Sequence, residues 1–117
     1  MTPSEPTDLP VRQVRWADRT AVVDVAGEID INTSPVFQQE LLKLLHKRPQ
    51  RIVINLSKVP YMDSSGVASL VKLLSRVRKG DLSLRLACLT DRVRGVFEIT
   101  RLDTVFDIFD TEGEALA

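Results

Sequence analysis

Residues 51–79 read RIVINLSKVPYMDSSGVASLVKLLSRVRK and contain the clearest strand and helix patterns of the chain. The β-branched run of Ile52, Val53 and Ile54 predicts a buried strand. A turn-prone segment follows, and the DSSG of residues 63–66 comes directly before a strongly periodic run. Because Asp and Ser oxygens accept the free N–H groups of a first helical turn, we expect a helix to begin at this point.

The helix predicted from about Ser64 to Lys79 has two different faces. At about 100° per residue, one face is aliphatic and should be core. Its members are Val67, Leu70, Val71, Leu73, Leu74 and Val77. The other face has small residues in its early turns and basic residues in its late turns: Ser64, Ser65, Ala68, Ser69, Lys72, Ser75, Arg76 and Lys79. This face is typical of a solvated surface, but its small residues would also let a partner approach closely.

Two hydroxyls, those of Ser64 and Ser65, lie at the predicted start of this helix. The N-terminal end of a helix dipole favours negative groups, so a phosphate would be tolerated there. The geometry alone makes this a candidate phosphorylation site.

Length indicates a single domain, and the charge balance makes some classes of partner unexpected. The chain has 117 residues and a formal net charge of zero, which gives no electrostatic reason to expect nucleic acid or an anionic membrane as a direct partner. No apolar run approaches the ~20 residues of a spanning helix, and no signal peptide is visible. We therefore expect no membrane insertion and a cytoplasmic location.

The only cysteine, Cys88, excludes an internal disulfide and fits a reducing cytosol. It ends the alternating run LSLRLAC, so we expect a small buried residue in a strand. Residues 1–10 carry three prolines and predict a flexible N-terminal arm, which leaves residues 11–117 as the domain.

The remaining elements alternate between strand and helix. Residues 11–16 and 21–26 predict an antiparallel hairpin that turns at Asp18-Arg19. Ser34 should be the N-cap of a helix with Pro35 as its first residue, and that helix must end by Pro49. Its core stripe is Phe37, Leu41, Leu44 and Leu45.

Strands at 21–26, 51–56 and 83–88, with helices between them, predict two right-handed crossover units. The expected fold is a mixed, mostly parallel β-sheet with helices packed against it. A third helix should be capped by Thr90 or Asp91 and should present Val93, Val96 and Phe97 to the core. Residues 103–109 predict a last short strand, and residues 111–117 a short terminal helix.

Asp30 and Asp63 follow the first and second of these parallel strands. Because the carboxyl ends of parallel strands meet at one edge of a sheet, we expect the two residues to lie close together and close to Ser64. Paired carboxylates can serve as an acid/base pair or hold Mg²⁺, but cap and turn roles explain both residues equally well.

Nothing else in the sequence favours catalysis. The only histidine, His46, lies late on the first helix beside Lys47 and Arg48, where a surface role is expected. The sequence contains neither a glycine-rich phosphate loop nor a Cys/His cluster. We therefore expect no enzymatic activity, no catalytic residue, no metal site and no cofactor.

Three segments carry a resemblance to a known family: GEIDINTSP at residues 27–35, IVINLSKVPYMDSSG at 52–66 and VFEITRLDTVFDIFDTEGEAL at 96–116. Together they resemble a STAS domain, and within that family they are most similar to the anti-anti-sigma factors of bacterial regulatory switches. The resemblance spans residues 11–116. Two residues depart from the family's frequent pattern, since Ala68 and Arg101 stand where glycine is common.

The resemblance implies a partner switch that regulates transcription. Its unphosphorylated form binds an anti-sigma factor, a GHKL-type serine kinase, and thereby frees the sigma factor. Phosphorylation of the first serine of the DSSG motif, Ser64 in this chain, switches it off, and a PP2C-type phosphatase removes the phosphate. Ser65 is the alternative acceptor. The implied partner-binding residues are Asp30, Asn55, Asp63, Ser65, Gly66, Ala68, Ser69 and Lys72.

Two other roles remain open at this point. The chain could be a STAS subunit of a membrane lipid or solute transport complex that is never phosphorylated. It could also be a scaffold protomer of a large sensory assembly, although such chains usually carry an additional sensor domain. The intact DSSG favours the phosphorylated switch over both.

Overall fold

The computed structural model describes residues 9–117, so the flexible arm predicted for residues 1–10 falls outside the described residues except for its last two positions. The strands are β1 (Val11–Ala17), β2 (Thr20–Ala26), β3 (Arg51–Lys58), β4 (Ser83–Ala87) and β5 (Asp107–Phe109). The α-helices are α1 (Ser34–Leu44), α2 (Ser64–Val77), α3 (Asp91–Ile99) and α4 (Glu112–Leu116). Short 3₁₀ helices follow α1 (Leu45–Lys47) and α3 (Leu102–Thr104).

The five strands form one sheet in the order β1-β2-β3-β4-β5. The β1–β2 hairpin is antiparallel, and every other neighbouring pair is parallel. In the centre, Ile52 pairs with Ala21 on one side and with Leu84 on the other. The predicted mixed, mostly parallel sheet is therefore confirmed, and helices connect its parallel strands.

The two sheet faces bury different clusters because successive strand residues point to opposite sides. Ile52, Ile54 and Leu56 contribute to the main core with α1, α2 and α3, and all three are fully buried. Val53, one position out of phase, instead belongs to a small cluster beneath Ala115 of α4. None of the helices in residues 9–117 is long and apolar enough to cross a membrane.

The predicted phase of α2 was wrong at two positions. Val71, expected in the core, is 41% exposed, and Ser69, expected on the surface, is only 3% exposed. The reason is α1, which covers the side of α2 that carries Ser69. The Ser69 hydroxyl donates to the carbonyl of Ser65 (3.1 Å) and to the carbonyl of Ser34 on α1 (3.4 Å), so its burial leaves no unpaired polar group.

The predicted start of α1 was wrong by one residue. Thr33 is the N-cap, and Ser34 and Pro35 are the first two helical residues. The helix begins early because the Asp30 carbonyl accepts the Ser34 N–H at 2.7 Å. Thr33 makes no cap bond with its side chain, since its hydroxyl donates to the Glu28 carbonyl instead.

Two predictions near β4 and β5 also need correction. The strand β4 ends at Ala87, and Cys88 is half-buried with a left-handed backbone (φ 62°) instead of a buried strand residue. Its N–H donates to the Phe109 carbonyl at 3.1 Å as the chain leaves the sheet. The last strand is shorter than predicted because Arg101, also left-handed (φ 62°), turns the chain into a 3₁₀ helix first.

The terminal helix α4 is held against the sheet by arginines from three strands. Arg15 donates two hydrogen bonds to the Glu112 carboxylate, at 2.6 and 3.2 Å, and Asn55 donates a third at 2.9 Å. Arg51 and Arg85 donate to carbonyls at the other end of the helix. These hydrogen bonds lower the pKa of Glu112, and the bond from Arg15 has a larger effect than the bond from Asn55.

Replacing Gly66 should destabilise the fold, whereas the same change at Gly95 should not. A Cβ at position 66 would lie 2.6 Å from Met62 Cγ and 2.7 Å from Ile29 Cγ2, whereas a Cβ at position 95 meets nothing within 4 Å. We expect Gly66→Ala to lose about 1–3 kcal/mol and Gly95→Ala to gain about 0.5–1 kcal/mol in urea unfolding. Equal effects at the two sites would contradict the tight packing assigned to Gly66.

Glu112→Gln should lower stability in a pH-dependent way. A carboxylate whose folded pKa is depressed contributes stability above its unfolded pKa, and this is lost as the pH falls through the folded pKa. The unfolding free energy of the wild type should exceed that of the variant by about 1 kcal/mol at pH 7. This difference in unfolding free energy should narrow as the pH falls below 4.5, the ordinary pKa of a glutamate.

The matched control is Glu98→Gln on the exposed side of α3, which should change stability by no more than about 0.5 kcal/mol at either pH. A Glu112→Gln gap that stays constant from pH 7 to pH 3 would show that the carboxylate charge is irrelevant to the attachment of α4.

Candidate functional site

Two loops meet at the carboxyl edge of the parallel strands, one after β2 and one after β3. Ile29 and Met62 form a parallel bridge between them. The Ile29 N–H donates to the Tyr61 carbonyl, and the Asp63 N–H donates to the Ile29 carbonyl, both at 3.0 Å. The structure thus brings together the loops that carry Asp30 and Asp63, next to the first turn of α2.

Asp63 is the N-cap of α2. Its Oδ1 accepts the N–H groups of Ser65 (2.9 Å) and Gly66 (3.4 Å) and also the Ser65 hydroxyl. The Ser65 hydroxyl bond is the main cause that lowers the pKa of Asp63, and the backbone N–H groups, including that of Ile31, lower it further. Asp63 is therefore an ionised capping group that fixes the start of the helix.

Asp30 closes the turn that leads into α1. Its Oδ1 accepts the N–H groups of Asn32 (2.9 Å) and Thr33 (3.1 Å), and the Thr33 hydroxyl lies 3.3 Å away. Asp30 and Asp63 thus bind separate sets of donors, which fits the turn and cap roles considered from the sequence. Across the described part of the chain, no group of three or more His, Cys, Asp or Glu side chains is placed to hold a metal ion.

The two adjacent serines differ in what their hydroxyls contact. Ser65 is half-buried, and its hydroxyl donates to Asp63. Ser64 is the first residue of α2 and is exposed, and no hydrogen bond within residues 9–117 engages its hydroxyl. Ser64 therefore presents the more accessible oxygen to an incoming protein.

The exposed part of α2 near this site is a narrow stripe. Ser64, Ala68 and Lys72 are exposed and recur every four residues, which places them on one side of the helix. We call these three residues the α2 stripe. Gly66 and Ser69, also expected to bind a partner, are buried against Ile29 and α1 respectively, so they lie outside this exposed stripe.

Asn55 lies on the other side of the sheet from Ser64. Its neighbours Ile54 and Leu56 are buried in the main core, so the alternation of the strand points Asn55 to the α4 face. There its amide donates to Glu112, and its Oδ1 accepts the Ser57 N–H at 2.9 Å. The structure therefore places the Asn55 side chain with Glu112 and Ser57 and gives it no hydrogen bond to the residues around Ser64.

Sequence reasoning missed two exposed apolar residues beside the site. Ile31 is 74% exposed, and its N–H helps to lower the pKa of Asp63. Val36, at 36% exposed, is in the first turn of α1. The available signal was that both residues are apolar and lie outside the Phe37–Leu41 core stripe.

Comparisons with known proteins agree with this architecture. The STAS domain family matches residues 12–115. An anti-sigma-B factor antagonist of Bacillus subtilis is 37% identical over 95 residues, covering 81% of this chain and 86% of that protein. A protein of the same description from Staphylococcus aureus is 32% identical over 91 residues, covering 78% of this chain and 84% of its own length.

Among solved structures, an anti-sigma factor antagonist from Mycobacterium paratuberculosis superposes with a TM-score of 0.83 at 29% identity, covering 89% of this chain and 88% of the other. The fold, the family match over almost all of the described residues and the similarity to these antagonists lead to one conclusion: this chain belongs to the STAS domain family.

Proposed function

We propose that this chain is an anti-sigma factor antagonist that is switched off by phosphorylation of Ser64. The observation that carries the proposal is the open hydroxyl of Ser64 at the start of α2, next to a Ser65 hydroxyl that Asp63 already binds. The relatives described as anti-sigma factor antagonists support the same role.

In this proposal the unphosphorylated chain binds an anti-sigma factor, a GHKL-type serine kinase, and the kinase then releases its sigma factor. The kinase transfers the γ-phosphoryl group of its own ATP to Ser64 Oγ, forming the phosphoserine ester and ADP and releasing the hydroxyl proton. A PP2C-type phosphatase hydrolyses the ester. This chain supplies only the hydroxyl and the surface around it, so it needs no cofactor and no catalytic group of its own.

The partner should contact the α2 stripe and the loop after β2. Ala68 has the smallest side chain of the α2 stripe, so a partner backbone can come close there. Ile31 offers an exposed apolar side chain, and Lys72 offers a cation at the far end. Asp30, Asp63 and Ser65 hold these groups in position through their turn and cap bonds.

The phosphate should act at the interface and leave the fold intact. It adds about −1.5 to −2 charges at pH 7. The helix N-terminus offsets roughly 0.3–1 kcal/mol of the cost, and solvent screens the repulsion from the ionised Asp63. Burying that charge against a partner without a matching cation costs several kcal/mol, which corresponds to a loss of affinity of about a hundredfold or more.

Kinase assays on two serine variants should distinguish the acceptor. With the cognate kinase and ATP, Ser64→Ala should lose phosphate incorporation, whereas Ser65→Ala should keep it. Mass spectrometry of the intact proteins measures the incorporation. Ser65→Ala removes the hydroxyl bond to Asp63, so circular dichroism should accompany the assay to show that this variant is folded. Undiminished labelling of Ser64→Ala would move the acceptor elsewhere.

A single aspartate should mimic part of the switch. Ser64→Asp should weaken kinase binding by roughly tenfold or more, because a carboxylate must be desolvated at the interface. Its stability should stay within about 1 kcal/mol of the wild type, because the helix N-terminus favours the charge. Calorimetric titration and thermal unfolding on the same samples measure the two effects separately.

Gln50→Asp provides the control, since it adds the same charge at an exposed position directly before β3, on the opposite edge of the sheet. It should bind the kinase like the wild type. Normal kinase binding by Ser64→Asp would refute an electrostatic switch at the interface. Weak binding by a Ser64→Asp variant that has unfolded would refute the claim that the switch acts at the interface and leaves the fold intact.

A further inference from the structure

A groove along the last two turns of α2 is unrelated to the Ser64 site. Val71 and Leu74 of α2 form one apolar wall, and Leu102 and Val105, which follow α3, form the other. Arg78 and Lys79 stand at its rim. We call this surface the α2 groove. Its volume is about 360 Å³, and Val71 (41%) and Val105 (39%) are exposed within it.

The two walls of the α2 groove are tied together. Arg78 donates from Nη2 to the Val105 carbonyl at 3.3 Å, across the groove. This hydrogen bond joins the two apolar walls at the rim. This surface also explains the main error of the helical phase prediction, since Val71 points into the groove instead of the core.

The charge around the α2 groove is strongly one-sided. Of the residues that line it, Arg78 and Lys79 are basic and none is acidic, in a chain whose formal net charge is zero. On the facing wall, Arg101 and Asp103 flank Leu102 and offset one another. An occupant that places carboxylates over this rim would gain complementary interactions along one side of the groove.

We propose that the α2 groove binds an acidic amphipathic helix of another protein. A helix fits because the groove is walled by α2 and a 3₁₀ helix, whose backbone groups leave little for an extended peptide to pair with. From Val71 to Lys79 the groove follows α2 for about 12 Å. That length corresponds to about two turns, so the occupant presents apolar residues at positions i, i+3, i+4 and i+7, with acidic residues beside them.

A second copy of this chain fits less well. A two-fold interface uses the same patch on both copies, so it would bring together four cations and no carboxylate from the groove linings. An acidic partner instead supplies carboxylates for Arg78 and Lys79.

This surface is independent of the proposed switch. Arg78 follows Ser64 by fourteen residues, which is about 20 Å along α2 at 1.5 Å per residue. Phosphorylation at one end of the helix therefore leaves the groove at the other end accessible. A protein held there could remain bound in both states of Ser64.

The test uses a fluorescein-labelled peptide of about four helical turns, with leucines at the i, i+3, i+4 and i+7 positions and glutamates elsewhere. Fluorescence anisotropy should show that the full chain binds this peptide and does not bind its counterpart with lysine in place of glutamate. Val71→Asp and Lys79→Glu should each weaken binding by roughly tenfold or more. Methyl NMR shifts should change at Leu74, Leu102 and Val105.

Two matched variants control for surface chemistry alone. Ile99→Asp changes an apolar residue that is 86% exposed but outside the groove, and Lys47→Glu reverses a charge in the 3₁₀ helix after α1. Both should bind the acidic peptide like the wild type. If Val71→Asp fails to fold by circular dichroism, Val105→Asp tests the facing wall.

Equal binding of the acidic and basic peptides, or unchanged binding by both groove variants, would overturn the proposal. A dimer in sedimentation analysis that Val71→Asp dissociates would also overturn it, because that result assigns the groove to a second copy of the chain. Val71-dependent binding to phosphatidylglycerol vesicles, without peptide binding, would assign it to a membrane surface. The kinase should still phosphorylate Val71→Asp. This outcome shows that a loss of peptide binding by the variant is separate from the proposed Ser64 switch.

Discussion

The close contact of Gly66 with Ile29 and Met62 determines how the candidate site is built. It lets the first turn of α2 approach the loop after β2 without an intervening side chain. The Ile29–Met62 bridge and the cap bonds of Asp63 can then form together. As a result, Ser64 is held at a fixed place and orientation by its neighbours, although its own side chain makes no contribution to the packing. A change at the Ser64 side chain therefore breaks no side-chain hydrogen bond within residues 9–117.

Much of the fold could be predicted from local sequence, because strand and helix periodicities reflect which residues are buried. The strands, the crossovers, the cap position at residue 63 and the meeting of the two loops follow from such patterns. The phase of α2 could not be predicted, since the oxygen that satisfies Ser69 belongs to Ser34, 35 residues earlier. A helical wheel assigns a serine to the surface unless the partner from another element is known.

The contacts of Asn55 could not be predicted for a similar reason. Position at the end of a strand indicates the edge of the sheet, but the face depends on alternation and on what covers each side. Asn55 donates a hydrogen bond to Glu112, 57 residues later. Arg15 donates to the same carboxylate from 97 residues away, and together these bonds form a clamp on α4. No local sequence pattern predicts a hydrogen bond between residues so far apart in the chain. Of the predicted surface, the α2 stripe was therefore identifiable from sequence, whereas the hydrogen bond that occupies the Ser65 hydroxyl and not that of Ser64 required the structure.

The order of the sheet has a consequence for how the chain folds during synthesis. Each strand lies beside its neighbour in sequence, so a growing chain can add strands to the sheet one at a time as they leave the ribosome. The clamp on α4 breaks this sequence of local steps, because it joins the first strand to the last helix. Arg15 and Asp24 can pair early, but Glu112 reaches them only after almost the entire chain has been made. A nascent chain that stops before α4 should therefore have an assembled hairpin whose second sheet face is still exposed to chaperones.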